Sequence, residues 1–424
     1  MIRFLFKGLM RDRSRSLFPI LTVTIGVFIT VLGHSWFIGA LGGMLGTSAN
    51  FETGYVKIMS RAYAKLSQEI PNELALVGVN ALLADLGKDY PDWQFTPRIR
   101  FGGLIDIPDS AGETRSQGPA MGLAVDLLSG KSGELKRLNI AQSIRRGRVP
   151  ESPDEILIAD KLAQKLDVNP GDVATLISST MNGNMAIYNF KVAGTVSFGI
   201  QALDKGAILA DIQGMQAALD MENAAGEIVG YQPDMLYQDE AAHQVARTFN
   251  QQYSTDMDDF APTMITLADQ AGLDYLLKMS DSMGFILVTV FIFVMSLVLW
   301  NSGLMGSLRR YGEIGIRLAI GEAHGHIYRS LLWESLIIGI TGSIIGTIIG
   351  LSIAFWIQSQ GIDIGSMMQG SSIMMDNVLR THVTAATYYI GFIPGILATL
   401  IGTAFAGVGI YRRQTASLFK ELEV

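Results

Sequence analysis

The side chains that could do chemistry in this sequence are few and poorly grouped for it. Five histidines are present, His34, His243, His324, His326 and His382, and only His324 and His326 lie close together. These two flank Gly325, and residues two apart do not share a helical face, so they make a poor metal site. The sequence has neither a G-x-S-x-G nucleophile elbow nor an H-E-x-x-H pair. Cysteine is absent, which removes thiolate chemistry and disulfides. Gly130-Lys131-Ser132 ends like a phosphate loop, but Val125 stands where that loop needs its first glycine. No residue is therefore assigned as catalytic, and no metal or cofactor is expected. If ATP drives this protein, another chain hydrolyses it.

A different chemistry, that of contact, is concentrated in Leu308 to Glu334, LRRYGEIGIRLAIGEAHGHIYRSLLWE. Arg309, Arg310, Glu313 and Arg317 alternate there with Ile314, Ile316, Leu318 and Ile320. That mixture predicts a short amphipathic helix lying partly exposed beneath a membrane, with Gly321 ending it and turning the chain. An ordinary basic loop is the alternative. The isoleucines favour docking, because a plain connector has no use for apolar side chains turned to a partner.

The elements that must hold this segment are long apolar runs. One lies near the start (17–45), and three crowd the last third (285–304, 327–357 and 385–410). Each reaches about the 20 residues a helix needs to cross a bilayer. Arg3, Lys7, Arg11, Arg13 and Arg15 precede the first run, and Arg309, Arg310, Arg317 and Arg329 lie between the second run and the body of the third. Arg412, Arg413 and Lys420 follow the fourth, whereas the segment 358–384 holds only Arg380. Basic flanks stay in the cytoplasm, so both termini and 305–326 are expected inside, and 46–280 and 358–384 outside. Residues 1–16 suit an amphipathic segment in the headgroup plane, and 411–424 a cytoplasmic tail. The first run is too long for a secretory signal and reads as an uncleaved anchor.

Residues 51–280 carry 19 basic against 30 acidic side chains, an acidic balance that does not suit nucleic acid. Their patterning predicts a mixed α+β domain of two lobes, the inserted lobe falling between Phe95 and Val196 or just after. Strands are expected over 54–60, 95–107, 121–127, 156–159, 173–178, 190–196, 208–211 and 227–231. Helices are expected over 73–88, ended by Gly87, and over 160–166, 212–219 and 240–251. Residues 267–282 read as a helix continuous with the second span. Gly42, Gly43 and Gly46 should loosen the end of the first.

The run R-x-x-E-I-G-I-x-x-A-I-G, carried by Arg310, Glu313, Ile314, Gly315, Ile316, Ala319, Ile320 and Gly321, resembles the FtsX-like permease domain of ABC transporters of the MacB and lipoprotein-releasing type. R-G-R-x-P at Arg146 to Pro150, I-L-I-A at Ile156 to Ala159, K-L-A-x-K-L at Lys161 to Leu166 and P-G-D at Pro170 to Asp172 are similar to the periplasmic core domain of that group. The resemblance implies four spans with a MacB-like periplasmic domain between the first and second, in the inner membrane. It implies a non-catalytic subunit that pairs with a second permease copy, identical or related, and docks on a cytoplasmic ABC ATPase dimer. Its coupling contacts would be Arg309, Arg310, Glu313, Ile314, Gly315, Ile316, Arg317, Ile320 and Gly321, with Glu313 and Arg317 the foremost polar ones. The stretch Glu322 to His326 departs from the family pattern.

Within the spans, Gly342, Gly346 and Gly350 recur every four residues and make one smooth helix face. That face suits packing within one subunit or, less favoured, contact with a sister permease. Phe28, Phe37, Phe285 and Phe291 are candidates to line a cleft open to lipid between the first two spans. His34 reads as an interhelical hydrogen-bonder, Glu334 as a cap or a partner for a loop arginine, and Pro394-Gly395 as a bend. Lipoprotein release toward the outer membrane ranks first as the function. Efflux of a small amphiphile or peptide with a periplasmic adaptor, and regulation of a cell-wall hydrolase, are the alternatives.

Overall fold

A computed structural model describes residues 13–199, 201–232, 237–253, 258–270, 272–309, 316–363 and 378–412. Most of the expected headgroup segment 1–16 and of the tail 411–424 lies outside these residues. The chain divides into a membrane unit, Met1–Leu41 with Leu277–Ile362 and Leu379–Val424, and a sheet unit, Gly42–Leu276 with Asp363–Val378.

Among the described residues, four helices are long and apolar enough to cross a membrane. They are α1 (Arg13–Ser48), α2 (Leu273–Arg309), α3 (His324–Gln360) and α4 (Phe392–Arg412). At 36 and 37 residues, α1 and α3 exceed the apolar runs that announced them. The three glycines at 42, 43 and 46 do not loosen α1, which continues to Ser48 and then widens into a π-turn over Ala49–Thr53. The helix expected from residue 267 begins only at Leu273, because 262–266 is a strand and 267–270 a turn. The expected bend at Pro394 is a break further back. Proline has no N–H to offer the carbonyl four residues earlier, that of Ile390, and the chain splits into Thr387–Ile390 and α4 around Gly391.

Among the described residues, ten strands form the main sheet of the sheet unit. They are β1 (Val56–Ser60), β2 (Gln94–Pro108), β3 (Thr114–Val125), β4 (Ile144–Gly147), β5 (Glu155–Ala159), β6 (Val173–Ser179), β7 (Met185–Val196), β8 (Ala207–Asp211), β9 (Glu227–Tyr231) and β10 (Pro262–Thr266). The order runs β10-β1-β9-β2-β3-β8-β5-β7-β4, with β6 between β2 and β7. Strand β2 is the pivot: residues 94–98 pair with β9, and from Ile99 onward the strand pairs with β3 and then also β6. Hydrogen bonding thus runs full circle through β2, β3, β8, β5, β7 and β6. Within that circuit no strand edge is left free to pair with another chain, whereas β10 and β4, at the ends of the order, are each paired on one side. The two lobes expected from sequence are two halves of one sheet over one contiguous buried cluster that includes Val56, Ile58, Phe101, Leu157, Leu176, Phe190 and Leu209.

The helix expected over 73–88 starts at Val79 and ends at Asp89. Leu76–Val77 is instead a short strand on Ala224–Ala225, and Gly78, at φ +72°, turns the chain into the helix. Gly87 lies inside that helix rather than ending it.

Candidate functional site

Of the expected coupling residues, Arg310, Glu313, Ile314 and Gly315 lie outside the described residues. Arg309 is the last residue of α2. A helical turn over 316–319 then ends at Gly321, whose φ of +98° fits a residue without a Cβ. Gly321 N–H donates to the Leu318 carbonyl and Glu322 N–H to the Arg317 carbonyl, each at 3.0 Å. This is the Schellman arrangement, which satisfies the last carbonyls of a helix before the chain reverses.

The turn is fastened on one side by charge. Arg317 grips Glu322 with two bonds, Nε to one oxygen at 2.6 Å and Nη2 to the other at 2.9 Å. His326 Nδ1, one turn along, lies 2.5 Å from the same carboxylate. The bonds from Arg317 and His326 hold the Glu322 carboxyl below the usual carboxylate range. Leu318 packs on buried Ile327. Ile316 and Ile320, four apart on one face, are 56% and 81% exposed. The apolar pair is open, while Arg317 is engaged within its own turn. His324 and His326 do not converge, and among the described residues no group of three or more His, Asp or Glu is gathered for a metal.

Gly342, Gly346 and Gly350 of α3 meet α1. A Cβ on them would stand 2.7 Å from Val23 Cβ, 2.6 Å from the Thr24 carbonyl and 2.8 Å from Val31 Cγ1, respectively. Gly391 and Gly395 close on Val27 from the other side, at 2.7 and 2.9 Å by the same measure. Valines of α1 therefore fill holes left by glycines of two neighbours. At the end of α1 near Arg380, His34 Nδ1 lies 3.2 Å from Thr387 Oγ1, and Ser35 accepts from His382 N–H at 2.9 Å. Of the four phenylalanines, Phe28, Phe37 and Phe291 are half-buried, and Phe285 is exposed.

A buried ionic layer in the sheet unit was not among the expectations from the sequence. Arg98 of β2 and Glu134 are both fully buried and bond at 2.8 Å. Lys57 of β1 pairs with Glu227 of β9 at 2.8 Å, and the Arg137 guanidinium lies 3.8 Å above the Tyr231 ring. Burial alone would lower the Arg98 pKa, but Tyr231, Glu134 and Glu227 together hold it up. Tyr231 donates its hydroxyl proton to the Ala49 carbonyl at 2.9 Å and accepts from Arg98 at 2.9 Å, and its burial raises its own pKa. Alternation within β1, β2 and β9 puts Lys57, Arg98, Glu227 and Tyr231 on one face, a periodicity the sequence does contain. Charged residues at strand positions read as solvent-facing, which concealed it.

Residues 285–415 match the FtsX-like permease C-terminal family. The lipoprotein-releasing system transmembrane protein LolC of Xylella fastidiosa (strain Temecula1 / ATCC 700964) is 26% identical over 301 residues, covering 67% of this chain and 69% of the relative. The protein of the same name from strain 9a5c is 24% identical over 297 residues, with 67% and 69% covered. A solved structure of the periplasmic region of MacB from Actinobacillus actinomycetemcomitans aligns with a TM-score of 0.35 at 11% identity, over 52% of this chain and 92% of that one.

Proposed function

We propose that this FtsX-like permease is the membrane subunit of an ABC transporter that releases lipoproteins from the inner membrane, driven by a separate cytoplasmic ATPase dimer. The observation that carries the reading is the similarity to LolC over 67% of the chain, a longer stretch than either unit supplies alone. The chain would pair with a second permease, identical or related, and its sheet unit would work on the periplasmic side. The basic flanks of α1, α2 and α4 support that orientation.

The segment from Arg309 to Gly321 would receive the ATPase. The exposure of Ile316 and Ile320 beside a capped turn supports this, because apolar side chains held open next to a membrane suit a protein partner. Since Arg317 is held by Glu322, the apolar pair Ile316 and Ile320 would supply the contact area.

The test is the double variant Glu313→Arg/Ile316→Asp in the chain purified with its genomic neighbours. We expect the ATPase to be lost from the purified complex and lipoprotein-stimulated hydrolysis to fall to the basal rate, with insertion unchanged. Normal stimulation would remove the docking assignment. Co-elution of an ATPase with a periplasmic adaptor, and no lipoprotein, would replace release by efflux.

A further inference from the structure

Two stretches of chain join the sheet unit to the membrane helices: residues 49–54, after α1, and residues 266–270, ahead of α2. Both are tied to the same three strands. Ala49 carbonyl accepts two bonds, one from Gly54 N–H across the π-turn and one from the Tyr231 hydroxyl, each at 2.9 Å. The residue after Gly54 continues the knot: Tyr55 N–H donates to the Gly230 carbonyl at 2.9 Å, and its own carbonyl accepts from Leu267 N–H at 3.0 Å. Gln270 then reaches across with its Nε2, donating to the Thr53 carbonyl at 3.3 Å and to the Thr266 carbonyl at 2.9 Å. The Tyr55 ring stands edge-on to Tyr231 and to Tyr237, 5.7 Å between centroids in each case.

We propose that Tyr231 and Gln270 are positioning residues that lock the two connecting stretches to each other and to the sheet, so that both move as one rigid base. The inference rests on the transport reading for its purpose but not for its geometry.

Its physical ground is the buried Arg98–Glu134 pair behind Tyr231. A fully buried ion pair contributes little net stability over an apolar pair, but it penalises every arrangement that separates its members. Tyr231 passes that selectivity to the backbone of the π-turn, because its hydroxyl accepts from Arg98 and donates to the Ala49 carbonyl. Gln270 extends the lock to the second stretch. A π-turn is a place where a helix can change register, so fixing its first carbonyl fixes how the chain enters the sheet. In a lever, looseness here would absorb the movement before it reached the strands.

The absence of cysteine allows a direct test on the full chain in lipid nanodiscs. Nitroxide labels on Glu52→Cys and Tyr275→Cys, both exposed positions, report the separation of the two stretches. We expect one narrow distance distribution, unchanged when the partner ATPase and ATP are added. Tyr231→Phe should shift the closed-to-open balance of the lock by about tenfold, the worth of one buried hydrogen bond, and broaden the distribution. Gln270→Ala, a half-buried site less critical for folding, should broaden it alone. In the coupled assay both variants should release less of a fluorescent triacylated lipopeptide per ATP while basal hydrolysis is unchanged. A distribution as narrow in both variants as in the parent overturns the lock. Broadening with unaltered release per ATP overturns the positioning role. If no ATPase binds the parent chain, the transport reading fails, and the label distances still decide the lock.

Discussion

The membrane unit and the sheet unit achieve close packing by opposite means. In the membrane unit, contact comes from what is missing: glycines at 342, 346, 350, 391 and 395 leave room for Val23, Val27 and Val31. Several hydroxyls there bond within their own helices, as Thr30 on the Gly26 carbonyl, Ser35 on Val31 and Thr341 on Ile337, while Thr24 reaches across to the Gly342 carbonyl. Lipid is as apolar as leucine, so helices gain nothing by trading one for the other, and closeness of backbones is what remains. In the sheet unit, contact comes from bulk. Leu157 and Leu209 on one face, and Ile158 on the other, are buried against the closed circuit of strands together with Phe190, and removing their apolar area from water provides the drive. Among the described residues it is that unit, surrounded by water, that also buries a charged layer, and it does so where the connecting stretches are fastened. Packing in lipid therefore fails when atoms are added, and packing in water when they are taken away.

The largest expected effect lies in the charged layer. Glu134→Ala strands the Arg98 guanidinium at a fully buried site and should cost the sheet unit about 3–5 kcal/mol. Hydrogen exchange of β2 and β9 in the full chain would measure it, with α3 as the internal reference. An effect below 1 kcal/mol would mean that water reaches Arg98 and that the contrast between the units is weaker than drawn. Next comes Leu157→Ala, at the centre of β5, which should cost about 2–5 kcal/mol by leaving a cavity, read by exchange of β5 and β8.

The reverse substitution tests the membrane unit. Gly346→Val puts side-chain atoms against the Thr24 carbonyl and Val27, and overpacking of that kind costs about 1–3 kcal/mol. Unfolding of the chain in mixed micelles, followed by helix content, would report it. Enlarging Gly43 of α1, which has open space around its Cβ position, should leave the bundle unchanged. If both changes had the same effect, the glycine holes would not be what holds α1 to α3.

What the sequence disclosed follows the same division. The four spans were legible because an apolar run of bilayer length has few other uses. The strand at 155–159, the helix at 160–166 and the strand at 227–231 were legible because turn residues bound each short run. The glycine ridge was visible as a four-residue recurrence, but its partners, the valines of α1, lie more than 300 positions away and no local pattern points to them. The helix misplaced at 73–88 failed for a like reason: Leu76–Val77 is drawn into a strand by Ala224–Ala225, a pairing local propensity does not contain. At the candidate docking turn the order of residues announced an amphipathic segment. It did not announce that Glu322 would take Arg317 out of contact, since that depends on the left-handed turn at Gly321 folding one residue back on the other.

The smallest expected effect separates surface from buried charge within the sheet unit. Glu155 is nearly covered, and it accepts two bonds from Arg148, at 2.7 and 2.8 Å, and one from Glu151 N–H at 2.9 Å. The Arg148 bonds hold its carboxyl below the usual range against the opposing pull of burial. A carboxyl lowered in the folded state adds stability above its unfolded pKa, about 4.3, and loses it as pH falls through the folded value. Asp160 has the same sign: burial would raise it, but bonds from Thr195 and Arg146 bring it down. The sheet unit should therefore lose stability progressively below about pH 4. Glu155→Gln should be the less stable protein at pH 7, and the gap to the parent should close on acidification. Because Arg148 is half exposed, added salt should narrow the gap at neutral pH while leaving the Glu134→Ala effect in place. A gap of constant size from pH 7 to pH 3, or an equal response of both variants to salt, would erase the distinction between the rim pair and the buried one.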